Sequence, residues 1–280
     1  MAQALRDTSV GEIEARLSEA RARLESSQRT SVATHMAWVP SQWSRAAERV
    51  LHGLGARIPS RTLLLHPDPD GDADRLDARI EYESFPGGQG AVCVEVVHLW
   101  LRGRTASAPA SVVVPLQIPD LPVFLRWRGL PTFGTRQYDQ LIGATDRLIV
   151  DSVEWDGLPK PYGTLAESFA RVVLSDLAWA RTLRWRAGLA ELWPGIKKVR
   201  TLRVLGPLAE ALLLRGWLRS RLRRDVQLSH EPGPRLSAVA VDDEPVRPER
   251  STPLSASDLL SAELESFSRD RVYEAAVRKA

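Results

Sequence analysis

Arginine and tryptophan recur side by side in this chain: Arg126-Trp127-Arg128, Trp179-Ala180-Arg181, Arg184-Trp185-Arg186 and Trp217-Leu218-Arg219. A guanidinium can stack on an indole and still offer N–H donors to a carboxylate or phosphate. Both residue types are also enriched where proteins dock. The chemistry within reach of these segments is therefore recognition. Acid–base chemistry would need other groups, and Asp151 and Glu154 in "DSVEWDG" are the pair to test. Asp-x-x-Glu is also the pattern of a helix cap, which is the more frequent reason for that spacing.

Other reactive patterns fail on their spacing. "HPDPDGDAD" alternates Asp68, Asp70 and Asp72 like a calcium loop, but the turn position is Ala73 rather than glycine and the bidentate position is Arg79. His35, His52, His66, His98 and His230 show no ligand spacing. Gly53 and Gly55 in "GLGARI" follow a helix pattern and lack a third glycine, so they are no dinucleotide fingerprint. Gly206-Pro207 opens a helix after a strand, which could hold an anion but is common to every α/β unit. There is no P-loop and no Gly-x-Ser-x-Gly elbow. Cys93 stands in the apolar run "AVCVEVVHLW" and reads as an inert buried thiol. No catalytic set, metal site or cofactor is expected.

The elements that must position the Arg/Trp segments alternate between strand and helix patterns. Ser9 and Glu12 form a capping box for an amphipathic helix over 9–28, and "SSQRTS" reads as a linker. A helix from Ser41 precedes strands in "RTLLLH", "RLDARIEYES" and "AVCVEVVHLWLRG", the last placing Val94, Val96, His98 and Trp100 on one face. "SAPASVVVPLQIP" is ambiguous, "LPVFLRW" and "DRLIVDS" are strands, and "TRQYDQLIGA" is a helix. Thr164 and Glu167 suggest a second capping box, and "DLAWARTLRWRAGLAELW" one helix with Trp179, Leu183, Ala190 and Trp193 on a core-facing stripe. "KVRTLRVLG", a helix from Pro207, "DVQLSH", "RLSAVAV" and one or two C-terminal helices follow.

This alternation predicts an α/β fold with a mixed, mostly parallel sheet covered by helices. The expected organisation is an N-terminal helix and linker over 1–34, an α/β domain over 35–157 and a second over 158–280. Ligands of open α/β sheets gather at the carboxyl ends of strands. That rule makes Arg126, Trp127, Arg128 and Trp155 an exposed docking rim, joined by Arg181, Arg184 and Trp185.

The formal charge of +3 over 280 residues says little, but its distribution says more. Residues 171–224 hold thirteen Lys/Arg against three Asp/Glu, a block suited to an acidic partner or phosphates. Its helical Leu/Trp periodicity ranks nucleic acid last among partners. The early Arg6 and Asp7 argue against a signal peptide, and no apolar run approaches the roughly 18 residues of a membrane span. With a single cysteine, the expected setting is the cytoplasm.

Several stretches, in order from Thr34 to Leu222, resemble the glucose-6-phosphate dehydrogenase assembly protein family, also called OpcA. They are "THMAWVPSQW", "PSRTLLLHPDP", "VVHLWLRGR", "ASVVVPLQIPDLPVFLRWRG", "DRLIVDSVEW", "DLAWARTLRWRAGLA" and "GWLRSRL". The resemblance implies a non-enzymatic partner that binds glucose-6-phosphate dehydrogenase, promotes its active oligomer and allosterically raises its activity in the pentose phosphate pathway. Some photosynthetic members are linked to thioredoxin control through cysteines. With Cys93 alone, an intramolecular thiol switch does not carry over. The competing expectation is an α/β enzyme or binding protein for a sugar phosphate or nucleotide, built on Arg126, Arg128, Asp151 and Glu154.

Overall fold

The computed structural model describes residues 2–23, 31–54, 58–71, 73–87, 90–250, 252 and 254–280. Asp72, Gly55, most of the expected 26–31 linker and the side chains of His52 and Cys93 lie outside what it describes. Packing divides the chain into two units. One comprises Met1–Ile149 with Ala256–Ser266, the other Val150–Ser255 with Phe267–Ala280.

The first unit runs β1 (Ala2–Leu5), α1 (Val10–Arg23), β2 (Ala33–Trp38), α2 (Ser44–Leu54), β3 (Ser60–Asp68), β4 (Arg75–Gly87), β5 (Gly90–Arg102), α3 (Arg104–Ser107), α4 (Ala110–Leu116), β6 (Val123–Trp127), α5 (Arg136–Gly143) and β7 (Arg147–Val150). Its strand order is β1-β4-β5-β3-β2-β6-β7. The five strands from β5 to β7 are parallel, and β4 and β1 add an antiparallel edge. The fold is thus the mixed, mostly parallel α/β sheet with flanking helices that the alternation predicts. The Ser9 cap is present: Glu12 N–H donates to Ser9 Oγ at 3.2 Å.

Two strands of the first unit escaped the sequence reading, as did the β-strands Val173–Asp176, read as the end of a helix, and Glu244–Pro245, read as a loop. β2, "ATHMAW", carries Thr34 and His35 in its middle, yet all six of its residues are buried between β3 and β6. β1 is mostly exposed and owes its conformation to pairing with β4. The ambiguous "SAPASVVVPLQIP" resolves as helix: Val112, Val113 and Leu116 face inward while Val114 points out, the spacing of one helical face.

The second unit contains α6 (Lys160–Ser168), β8 (Val173–Asp176), α7 (Leu177–Arg181), α8 (Leu183–Glu191), β9 (Thr201–Gly206), α9 (Leu208–Leu222), β10 (Gln227–Pro232), β11 (Ala238–Val241) and β12 (Glu244–Pro245). α10 (Ala256–Leu264) returns to the first unit, and α11 (Arg271–Val277) closes the second. A small sheet ordered β10-β9-β11-β12 packs Leu202 and Val204 against Ala211, Leu214 and Leu218 of α9 and Trp185 and Leu189 of α8. Two glycines of these helices permit close approach elsewhere, Gly188 to the Arg247 backbone and Gly216 to α11. A Cβ on Gly188 would stand 2.0 Å from the Arg247 carbonyl oxygen, and one on Gly216 2.2 Å from that of Ala276.

Two local expectations are corrected here. α6 begins at Lys160, so Thr164 lies inside the helix instead of capping it. The single helix expected over 176–193 breaks at Thr182 into α7 and α8. At the break the Thr182 hydroxyl donates to the Trp179 carbonyl at 2.7 Å and accepts from Arg186 Nε at 3.0 Å. The continuous stripe is lost: Trp179 is buried, whereas Leu183, Ala190 and Trp193 are exposed.

Candidate functional site

The expected exposed rim is corrected by burial. All five residues of β6 are inside, because its neighbours β2 and β7 hold it in the interior of the sheet. Trp127, 1% exposed, stacks on Trp38 at 5.1 Å and meets Tyr138 edge-on at 5.5 Å. Arg126, 3% exposed, turns back to donate to the Trp127 carbonyl. Arg128 is half-buried, its guanidinium 4.8 Å over the Trp43 ring. In the second unit Trp155 is buried against Tyr162, and Trp185 belongs to the core. Arg184 ties α8 to the 247–249 segment through the Glu249 carbonyl at 3.0 Å.

Arg181 sits in the densest polar network of the second unit. Its guanidinium forks onto Asp151 at 2.5 and 3.1 Å and reaches Glu210 Oε1 through Nε at 2.6 Å. Burial disfavours its charge, but Asp151 and Glu210 outweigh that and hold its pKa above the ordinary guanidinium range. Glu210, 1% exposed, is pushed up by burial and pulled back by Arg181. Behind this triad Asp176 accepts from Ser152 N–H at 3.0 Å, Ser152 Oγ at 2.6 Å, Ala178 N–H at 2.8 Å and Tyr273 OH at 3.3 Å. Burial and the nearby Asp151 charge raise its pKa to about 6. Every one of these carboxylates caps a turn or neutralises a cation. They fasten β8, α7, α9 and α11 together. Of the pair that the sequence offered for acid–base work, Asp151 is held by Arg181 and accepts from Val153 N–H at 3.3 Å, and Glu154 ends the 3-10 turn that Asp151 caps.

The first unit presents a different constellation. Strand pairing sets His66 beside Trp100, His98 beside Leu64 and Arg79, and Asp77 beside Trp100. The three rings stack: His66–Trp100 at 5.1 Å, His66–His98 at 5.5 Å and His98–Trp100 at 5.8 Å. Arg79 Nη2 lies 3.2 Å from His98 Nε2. A guanidinium only donates, so His98 Nε2 accepts and its proton rides on Nδ1. That proton is donated to His66 Nε2 at 3.3 Å, which puts the His66 proton on Nδ1. Both imidazoles are held neutral, with pKa lowered to about 4: by burial and then Arg79 for His98, and by burial, then the His98 ring, then Arg79 for His66. An imidazole so depressed is a weak base at neutral pH; this row offers stacking area and hydrogen bonds.

Beside the row, under α2, lies a cavity of about 370 Å³ lined among others by Glu48, Ser60, Thr62, Arg79, Glu81 and His98. The sequence placed His98 and Trp100 on one face by alternation. It held no signal for His66 and Arg79, which join only because three strands pair. Among the described residues no cluster of three His, Cys, Asp or Glu could hold a metal ion, and no helix is long and apolar enough to cross a membrane.

Comparison with known proteins matches both halves of the chain. Residues 52–168 match the family model described as the glucose-6-phosphate dehydrogenase subunit N-terminal domain, and residues 172–277 the C-terminal domain of the same subunit. Two curated relatives carry the name OxPP cycle protein OpcA. The one from Nostoc punctiforme is 27% identical over 187 residues, 62% of this chain and 40% of the relative. The one from Synechocystis is 25% identical over 153 residues, 51% of this chain and 32% of the relative. The chain thus aligns with two fifths or less of the length of these relatives.

Proposed function

The chain belongs to the glucose-6-phosphate dehydrogenase subunit family, and from that membership we propose that it is a non-enzymatic partner of this dehydrogenase. It binds the dehydrogenase in the cytoplasm, promotes its active oligomer and so raises flux into the oxidative pentose phosphate pathway. The observation that carries the reading is the match of both family models, in order, over the two halves of the chain. The geometry supports a role without turnover. Asp151 and Glu210 are committed to Arg181, Asp176 to backbone and hydroxyl donors, and His66 and His98 are held neutral.

The test is co-purification with the dehydrogenase, followed by its oligomeric state and kinetics with and without the added chain. Association, a larger oligomer and a faster dehydrogenase are expected. A chain that fails to associate, or that alone turns over a sugar phosphate, contradicts the reading and favours the enzyme built on an α/β scaffold.

A further inference from the structure

The apolar stripe expected in the core ends in the open. Beyond α8 the chain passes through Leu192 and Trp193 into a tight 3-10 turn, Gly195–Lys198, pinned by buried Ile196. Trp193 is left 61% exposed and Leu192 39%. The Lys197 ammonium lies 4.2 Å from the Trp193 ring centre. Arg224 donates to the Lys197 carbonyl at 3.1 Å, which brings the basic end of α9 to the same place. Between residues 192 and 204, after the exposed Glu191, stand Lys197, Lys198, Arg200 and Arg203 with no carboxylate, and Arg219, Arg221, Arg223 and Arg224 occupy the last turn of α9 and the residues past its end. Asp243 answers Arg203 and Asp225 answers Arg219, at 2.9 and 3.0 Å. Lys197, Lys198, Arg221, Arg223 and Arg224 project into solvent.

An indole and a leucine held out in water, with Lys197 against the indole and further exposed cations on the same turn and past the end of α9, match the composition of a protein-docking hot spot: an aromatic anchor with a charged rim. We propose that Leu192, Trp193, Lys197, Lys198 and Arg224 form the surface by which this chain docks onto a carboxylate-rich face of the dehydrogenase. This rests on the reading of the chain as that enzyme's partner. Trp193 fills an apolar notch of the partner, and the cations pair with the acids around it, steering encounter and setting its salt dependence. A nucleic acid would also answer the positive charge, and a base would stack on Trp193, but it has no aliphatic surface to match Leu192.

The experiment measures affinity of the full chain for the dehydrogenase as a function of salt. The variants are Trp193→Ala, the double change Lys197→Glu/Lys198→Glu, and Arg136→Glu, an exposed charge reversal elsewhere in the chain. Trp193→Ala should weaken binding by about tenfold or more, as hot-spot truncations do. The double reversal should weaken it further at low salt and flatten the salt dependence, with Arg136→Glu at the wild-type value. Circular dichroism and thermal melts keep a loss of binding distinct from a loss of fold. Wild-type association with unchanged Trp193→Ala and double-reversal affinities overturns this surface while the partner reading stands. Salt-dependent binding of DNA or RNA through these cations, with the dehydrogenase bound normally by the variants, overturns it as well. A wild-type chain that ignores the dehydrogenase brings down the partner reading and this docking surface together.

Discussion

Two tryptophans with cations beside them, Trp127 in sequence and Trp193 in space, meet opposite fates. Trp127, between Arg126 and Arg128, ends a strand whose two neighbours and covering helices seal it, and it is 1% exposed. Trp193, four residues before Lys197, follows the end of a helix and is 61% exposed. Adjacency of indole and guanidinium in sequence, as at Trp127, does not mark a surface. In an interior strand alternate residues enter opposite covered faces, so both partners are buried. After a helix end, a short turn held by one apolar anchor leaves its other side chains to water. Where stacking does occur it joins residues brought together by the fold, as with Arg186 over Trp179 at 3.5 Å and Arg128 over Trp43 at 4.8 Å.

The sharpest way to break this contrast is truncation of each indole. Trp127→Ala should cost about 3–5 kcal/mol of stability in urea unfolding, because it opens a cavity against Trp38 and Tyr138. A loss below 1 kcal/mol would mean the strand end is looser than its packing implies. Next in size, Arg181→Met should destabilise the second unit by about 3 kcal/mol, since it strands Asp151 and buried Glu210 without their shared cation. Restoring stability by adding Glu210→Leu to that variant would confirm the cause.

The two units should also answer acid in opposite directions. In the first, His35 is 1% exposed with both ring nitrogens unbonded among the described residues, and burial, with Arg126 second, lowers its pKa to about 4. Unfolded, a histidine titrates near 6.5, so the stability His35 contributes is complete above that pH and is lost as pH falls toward 4. Asp176 runs the other way. Its folded pKa near 6 exceeds its ordinary 3.8, so its contribution is present at low pH and is lost as pH rises through 6. His35→Leu should therefore reduce the acid loss between pH 6.5 and 4 by about 1–3 kcal/mol, read from urea midpoints across that range. Asp176→Asn should make the same fall steeper. A parallel, unshifted profile for His35→Leu would show that the imidazole is not desolvated. At the small end, Trp193→Ala should shift stability by no more than about 0.5 kcal/mol, the ordinary range for a surface position. A larger loss would move Trp193 into the core and remove the contrast.

Much of the fold was legible in the residues. The alternation of β5, the capping box of Ser9 and Glu12 and the strand pattern of "VFLRW" and "RLIV" each express a local period or a local hydrogen bond, which short segments carry by themselves. β2 was not, because "ATHMAW" becomes a strand only when β3 and β6 supply both sets of hydrogen bonds. The break at Thr182 was hidden for a different reason: the helical apolar pattern runs through it without glycine or proline, and the hydroxyl that bridges Trp179 and Arg186 there leaves no mark in that spacing. At the candidate sites, His98 and Trp100 could be placed together by alternation, whereas His66 and Arg79 arrive from strands 32 and 19 residues away from His98.

Sequence alone determined that the chain is α/β, that its middle is basic, and that its bond-making motifs fail on spacing. Those properties depend on local periodicity, composition and residue identity, none of which needs a partner from far along the chain. Tertiary structure decided which cations and indoles meet water. Exposure is set by what covers a residue, and coverage comes from strands and helices distant in sequence, so Trp127 went inside and Trp193 stayed out.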